Sequence, residues 1–178
     1  MQVTINETTL ELRQGDVTVQ DVQVIVNAAN SRLAGGGGVD GAIHRRGGPA
    51  IMEETNRRYP DGCPTGSAVI SGAGDLAADF VIHAVGPVWS GGKQGEPDLL
   101  ASAYRRCLEL AVQHHCKSVA FPSLSTGAYR YPIDLAARTA LQTVIDFLKE
   151  HAQPDLIRFT LFDEGAYGAF SAVLEELR

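Results

Sequence analysis

The order of hydrophobic patterns along the chain predicts a three-layer α/β domain, with a mixed central sheet flanked by helices. Three observations carry this. Five runs, VQVIVNAA, GSAVIS, DFVIHAV, SVAFPS and LIRFTLF, are nearly continuous apolar segments rich in β-branched residues, as expected of strands covered on both faces. Stretches with apolar residues at helical spacing alternate with them. At the N-terminus, QVTINETTLELRQGD instead alternates polar and apolar residues around a turn, which predicts two short strands at a sheet edge with one solvated face.

The strand VQVIVNAA leads through four glycines, Gly35 to Gly38, into a helix that starts near Val39. A further helix is read from Asp98, taken as an N-cap after Pro97: Leu100, Tyr104, Cys107, Leu108 and Ala111 give one apolar stripe. Pro132 suits the start of the next, where Ile133, Ala137, Ala140, Val144 and Leu148 repeat the pattern. AYGAFSAVLEELR supplies the last helix, and the Gly-rich WSGGKQGEPD is a surface connection. No internal repeat or linker divides the chain. At 178 residues it lies below the roughly 250 at which one core stops growing, so residues 1–178 are expected to form one domain.

With 44% hydrophobic and 20% charged residues, the chain has the composition of an ordinary folded domain rather than a disordered one. The net charge of -6 argues against a nucleic-acid backbone as partner, because such partners are met by a basic face. Cys63, Cys107 and Cys116 share no CxxC spacing, which suggests neither a disulfide framework nor a zinc knot and fits a reducing cytoplasm. No segment approaches the roughly 20 apolar residues of a membrane span, and the first residues lack the cationic and apolar regions of an export signal. A cytoplasmic protein without a membrane partner is expected.

In open α/β sheets ligands collect at the carboxyl ends of the strands, and two loops there stand out. In the first, Gly36, Gly38 and Gly41 satisfy GxGxxG, the dinucleotide fingerprint. The loop is longer than the tight turn of that motif, however, and it sets Asp40 where a pyrophosphate would meet a like charge. A Walker A loop is excluded, because no GK[ST] follows the glycines. Glycines let backbone approach a ligand closely and a helix N-terminus presents amides to it, which suits an anionic or polyhydroxylated guest. Asn30 and Asp40 bracket the approach: an amide binds sugar hydroxyls, and a carboxylate binds them, polarises a water or simply complements the helix N-terminus.

The second loop, PSLSTGAYRYP, leaves the amides of Ser125, Thr126, Gly127 and Ala128 little obstructed, as in a phosphate-binding nest. Tyr129 and Tyr131 either flank a sugar or close over the core. His44 and His83 lack a ligand spacing such as HExxH, so no metal is expected, and His83 reads as a hydrogen-bonded core histidine.

Taken together, Gly15–Asp16, VIVNAAN, GGGGVDGAIH, HAVGPVW, FPSLSTGAYRYP and LFDEGAY resemble the MacroD-type macrodomains, a family that binds ADP-ribose and hydrolyses its conjugates. The resemblance covers nearly the whole chain. It implies a macrodomain fold with ADP-ribose in a crevice over the strand ends. Carried over by residue, it implies that Asp16 accepts a hydrogen bond from the adenine amino group with Val17 beside it, and that Phe162 walls the adenine. It sets Gly37, Gly38 and Val39 on the first phosphate-and-ribose loop, Ser125, Thr126, Gly127, Ala128 and Tyr129 on the second, and Asn30 with Asp40 at the distal ribose as catalytic residues.

The activity implied is hydrolysis of ester-linked ADP-ribose, from O-acetyl-ADP-ribose or from mono-ADP-ribosylated aspartate and glutamate on proteins, without metal or redox cofactor. The partners implied are ADP-ribose, O-acetyl-ADP-ribose and mono-ADP-ribosylated proteins, with nucleic acid a partner only when it carries ADP-ribose. A non-catalytic ADP-ribose reader is the alternative. Arg130 departs from the family pattern, since relatives commonly have glycine there, and Arg45 and Arg46 stand where relatives often have small residues.

Overall fold

A computed structural model describes all residues 1–178. Strands β1 (Gln2–Ile5) and β2 (Thr8–Gln14) form the N-terminal hairpin, and β3 (Val24–Ala28) leads into helices α1 (Gly38–Gly47) and α2 (Ala50–Arg58). Strands β4 (Ala68–Gly72) and β5 (Phe80–Ala84) precede α3 (Glu96–Gln113), followed by β6 (Ser118–Phe121), α4 (Ile133–Glu150), β7 (Leu156–Leu161) and α5 (Glu164–Leu177). The seven strands form one sheet in the order β1-β2-β7-β6-β3-β5-β4. Only β1/β2 and β4/β5 pair antiparallel; β2, β7, β6, β3 and β5 run parallel, so their carboxyl ends share one edge of the sheet.

Alternation along the strands decides which helix covers which face. Val24, Val26, Ile82 and Ala84 join the larger core with α3, α4 and α5, a cluster of 34 buried residues that holds Tyr104, Phe121, Phe159 and Phe170. Their sequence neighbours Ile25, Val81 and Ala120 point the other way and pack with Ile43 of α1 and Ile51 of α2. The three-layer reading is therefore met, with helices on both faces.

Three local expectations need correction. GSAVIS, read as a strand covered on both faces, becomes the edge strand β4, and its Val69 and Gly72 are only partly buried. Helix α2 has no counterpart in the sequence reading because only Ile51 and Thr55 of its nine residues are buried, too narrow a stripe to register as apolar periodicity. Asp98 is not the N-cap of α3. The cap is Gly95 and the helix begins at Glu96, with Pro97 and Asp98 inside its first turn. Glu96 is the reason: its buried carboxylate accepts from the amides of Ser90 (2.8 Å), Gly92 (2.9 Å) and Gln94 (2.6 Å) and draws the preceding loop over the helix start. Burial raises its pKa, but the amides outweigh burial and bring it down to about 2.

Candidate functional site

At the carboxyl ends of β3 and β6 the loops to α1 and α4 face each other across a cleft of about 380 Å³. It brings together Asn30, Gly37, Gly38, Val39 and Asp40 from the first loop with Ser125, Gly127, Ala128 and Tyr129 from the second, over a floor that includes Gly86. Both loops present unpaired backbone donors. The amides of Gly35 to Asp40 and of Ser125 to Tyr129 find no acceptor in the chain, and Gly37 caps α1 without a side-chain bond. Rows of unpaired N–H groups at a helix start and in a turn form concavities with positive potential, which suits a diphosphate.

Each loop is held from behind. Asn30 staples the first: its Nδ2 donates to Gly35 O (2.9 Å) and its Oδ1 accepts from the Ala34 amide (3.1 Å). The second is braced by Trp89, whose amide donates to Tyr129 O (2.8 Å) while its ring packs on Tyr131 with centroids 4.7 Å apart. Tyr131 is buried and closes over the core, whereas Tyr129 lines the cleft. Ser125 and Arg130 adopt the left-handed conformation, at φ 67° and 63°, so the turn that exposes the amides is a strained one for non-glycine residues. Thr126 is not among the residues that line the cleft, and its hydroxyl donates to Ser123 Oγ (2.9 Å).

Asp40 is buried at the wall of the cleft, and one of its oxygens is committed inward. Its Oδ1 accepts from Asn27 Nδ2 (2.9 Å) and lies 3.2 Å from His44 Nε2, one helical turn further along α1. Its Oδ2 has no hydrogen-bond partner and faces Gly36, where a Cβ would stand 3.6 Å away. Asn27 and His44 were absent from the sequence-derived site. The signals for them were present, since His44 follows Asp40 at i+4 on one helix face and Asn27 interrupts a run of apolar strand residues.

Asp16, Val17 and Phe162 lie outside this cleft but on the same edge of the sheet. Asp16 follows β2 and Phe162 follows β7, adjacent parallel strands joined there by the bond from the Gly15 amide to Leu161 O (2.9 Å). Phe162 is 82% exposed, a large apolar face left uncovered beside Asp16's loop. Asp16 caps the 3-10 turn Val17–Val19, accepting from the Thr18 amide (2.8 Å) and hydroxyl (2.7 Å). Partial burial raises its pKa, but the Thr18 bonds and Arg46, 3.9 Å away, hold the carboxyl below its usual range. Val17 turns its side chain into the core under α1. The strand ends thus align an exposed aromatic and a carboxylate over β2 and β7, two amide nests over β6 and β3, and Asp40 beyond them.

A parallel-rich sheet with such a row of strand-end groups has a shape and polarity suited to an extended, diphosphate-containing ligand. The chain matches the Macro domain family over residues 26–140 and belongs to it. It is 52% identical over 163 residues to a Cronobacter sakazakii protein named O-acetyl-ADP-ribose deacetylase, a match that covers 90% of this chain and 91% of that one. Among solved structures, the Oceanobacillus iheyensis macrodomain with ADP superposes with a TM-score of 0.94 at 43% identity, covering 99% of this chain and 95% of that one. The Trypanosoma brucei macrodomain in complex with ADP-ribose gives a TM-score of 0.86 at 40% identity, covering 93% of this chain and 68% of that one.

Proposed function

We propose that this protein hydrolyses ester-linked ADP-ribose, acting on O-acetyl-ADP-ribose and on mono-ADP-ribosylated aspartate and glutamate of cytoplasmic proteins. The observation that carries the proposal is the Asp40 carboxylate: buried, anchored through Oδ1, and left with a free Oδ2 beside a loop of unpaired amides. A diphosphate seated on the two rows of amides fixes the sugar beyond it next to Asp40. The free oxygen then orients a water for attack, and the loop amides stabilise the charge that develops. Water adds and one C–O bond of the ester breaks, releasing ADP-ribose and the carboxylic acid. The similarity to proteins named O-acetyl-ADP-ribose deacetylase supports this reading.

The reader alternative draws support from Asn30, whose amide is occupied at both ends by its own loop. The two separate on one assay. Incubation with O-acetyl-ADP-ribose and with a peptide carrying an ADP-ribosyl glutamate, followed by mass spectrometry, should show free ADP-ribose from both substrates. Binding without release would support a reader and overturn the hydrolase reading. Run in ¹⁸O-labelled water with the peptide, the assay also reports the atom attacked: label in the glutamate marks the acyl carbon, and label in ADP-ribose marks the anomeric carbon.

A further inference from the structure

The structure assigns His83 as a positioning residue for Asp40, acting through Asn27; this rests on Asp40 being the carboxylate that orients the water. The three strands β3, β5 and β4 are adjacent, and on the face covered by α1 and α2 they carry Asn27, His83 and Ser71, each at most 1% exposed. Asn27 and His83 are cross-strand partners in the parallel register, so they meet at the inner end of the cleft wall. A continuous polar chain results. Asn27 Nδ2 lies 2.9 Å from Asp40 Oδ1 and 3.2 Å from His83 Nδ1, His83 Nε2 lies 2.8 Å from Ser71 Oγ, and Ser71 Oγ donates to Gly72 O (2.9 Å).

Only one assignment of hydrogens satisfies every contact of this polar chain, with Asn27 Oδ1 alone left without a partner. The two hydrogens of the Asn27 amide go to Asp40 and to His83, so His83 Nδ1 must be the unprotonated nitrogen. Its Nε2 then carries the proton and donates to Ser71, whose own hydrogen is already given to the Gly72 carbonyl. Rotating the Asn27 amide would set its oxygen against the Asp40 carboxylate, which is repulsive. The neutral tautomer of His83 therefore fixes the amide, and the amide fixes Asp40 Oδ1, which leaves Oδ2 as the oxygen offered to the cleft.

The groups around the imidazole agree with a neutral ring. Burial lowers its pKa most and His44 of α1, stacked at 6.4 Å between centroids, lowers it further; Asp40 of α1 and Glu54 of α2 oppose this, and the outcome is about 4. A histidine kept only for packing would not need this pattern. An apolar residue of similar size fills the same space but leaves one Asn27 hydrogen without an acceptor and Ser71 Oγ without its donor, and frees the amide to turn.

The test compares His83→Leu with His83→Asn, whose side-chain oxygen can take the place of Nδ1 as the acceptor for Asn27. His83→Leu should lower kcat by about tenfold or more with KM and ADP-ribose Kd within about twofold, and His83→Asn should recover most of the loss. In an Asp40→Asn background His83→Leu should add little, because both act on one carboxylate. Imidazole ¹⁵N shifts of the unmodified protein should report an unprotonated Nδ1 and a protonated Nε2 from about pH 5 to 8, a measurement that does not depend on any variant folding.

A protonated Nδ1, an unchanged kcat in His83→Leu, equal losses in both variants, or a full multiplicative loss in the Asp40→Asn background would each overturn the assignment. Normal turnover by Asp40→Asn alone would instead remove the role of Asp40 itself, and the assignment with it.

Discussion

The hydroxyl of Ser125 occupies the space that a Cβ on Gly86 would need. The two residues thus fix the depth of the cleft between the end of β5 and the second loop, and Ser125 holds a positive φ to do so. Gly86→Ala forces the strained turn to move and should weaken ADP-ribose binding by about tenfold, with an overpacking cost of about 1–3 kcal/mol in stability. Adding Ser125→Gly removes the obstructing hydroxyl and suits the left-handed backbone, so the double variant should recover both. Ser125→Ala alone should change little, because the loop offers amides. Calorimetry and thermal melting on the three variants check this, and a double variant no better than Gly86→Ala would show the contact to be irrelevant.

Gly127 provides the complementary experiment, since a Cβ there meets nothing within 4 Å and the residue lines the cleft. Gly127→Val should leave the melting temperature unchanged while cutting ADP-ribose affinity by about tenfold or more, because the branched side chain fills space that the ligand needs. Equal affinity in the folded variant would move the diphosphate off this loop.

Asp16 caps the turn at Thr18, and substitution can separate that from the adenine contact that the family resemblance implies. Asp16→Ala should lose about 1 kcal/mol of stability, because the cap on Thr18 goes, and about 1.5–3 kcal/mol of ADP-ribose binding. Asp16→Asn keeps an oxygen for Thr18 and removes the charge, so stability should return while the binding loss stays. Normal affinity in the Asn variant would separate Asp16 from adenine recognition.

For turnover, Asp40→Asn keeps the shape of the side chain and removes the proton-accepting oxygen, so kcat should fall by about 100-fold with a modest change in ADP-ribose Kd. Asn30→Ala should slow hydrolysis by releasing Gly35 and Ala34 and loosening the loop. Steady-state kinetics on both single variants and the pair should show less than additive impairment, as both changes disturb one geometry.

His83 makes stability depend on pH in a defined direction. Its pKa is about 4 in the folded chain against an ordinary 6.5, so between these values the unfolded chain binds more protons and stability rises with pH. The contribution is complete above about pH 6.5 and is lost as pH falls towards 4, an effect of about 3 kcal/mol at most. Denaturant titrations from pH 4 to 7 should show a shallower slope in His83→Asn than in the unmodified chain. Parallel slopes would mean that His83 does not titrate in this window.

Strands β3 to β7 were legible as compact apolar runs and the N-terminal pair from its alternation, and α3 and α4 were legible from wide stripes of buried residues. Helix α2 was not, since its burial is confined to one narrow line. The start of α3 was misread because the carboxylate that organises it, Glu96, bonds to amides earlier in the loop, and nothing in local spacing marks a buried glutamate. Within the site, the glycines and the Asn30–Asp40 pair announced themselves by type and order. Asn27 and His83 did not, for the partners that define them come from other elements, and His44 was marked only by its i+4 spacing from Asp40.

What the sequence by itself determined is the set of elements, the two loops at strand ends, and the family they resemble, because periodicity and glycine placement act over a few residues and need no partner. Only the tertiary structure decided the strand order that puts Asp16 beside Phe162, the positive φ that turns the amides of the second loop outward, and the commitment of one Asp40 oxygen to the core. Those facts depend on contacts between segments far apart in the chain. Hydrogen-bond direction and burial arise there, and no local pattern encodes them.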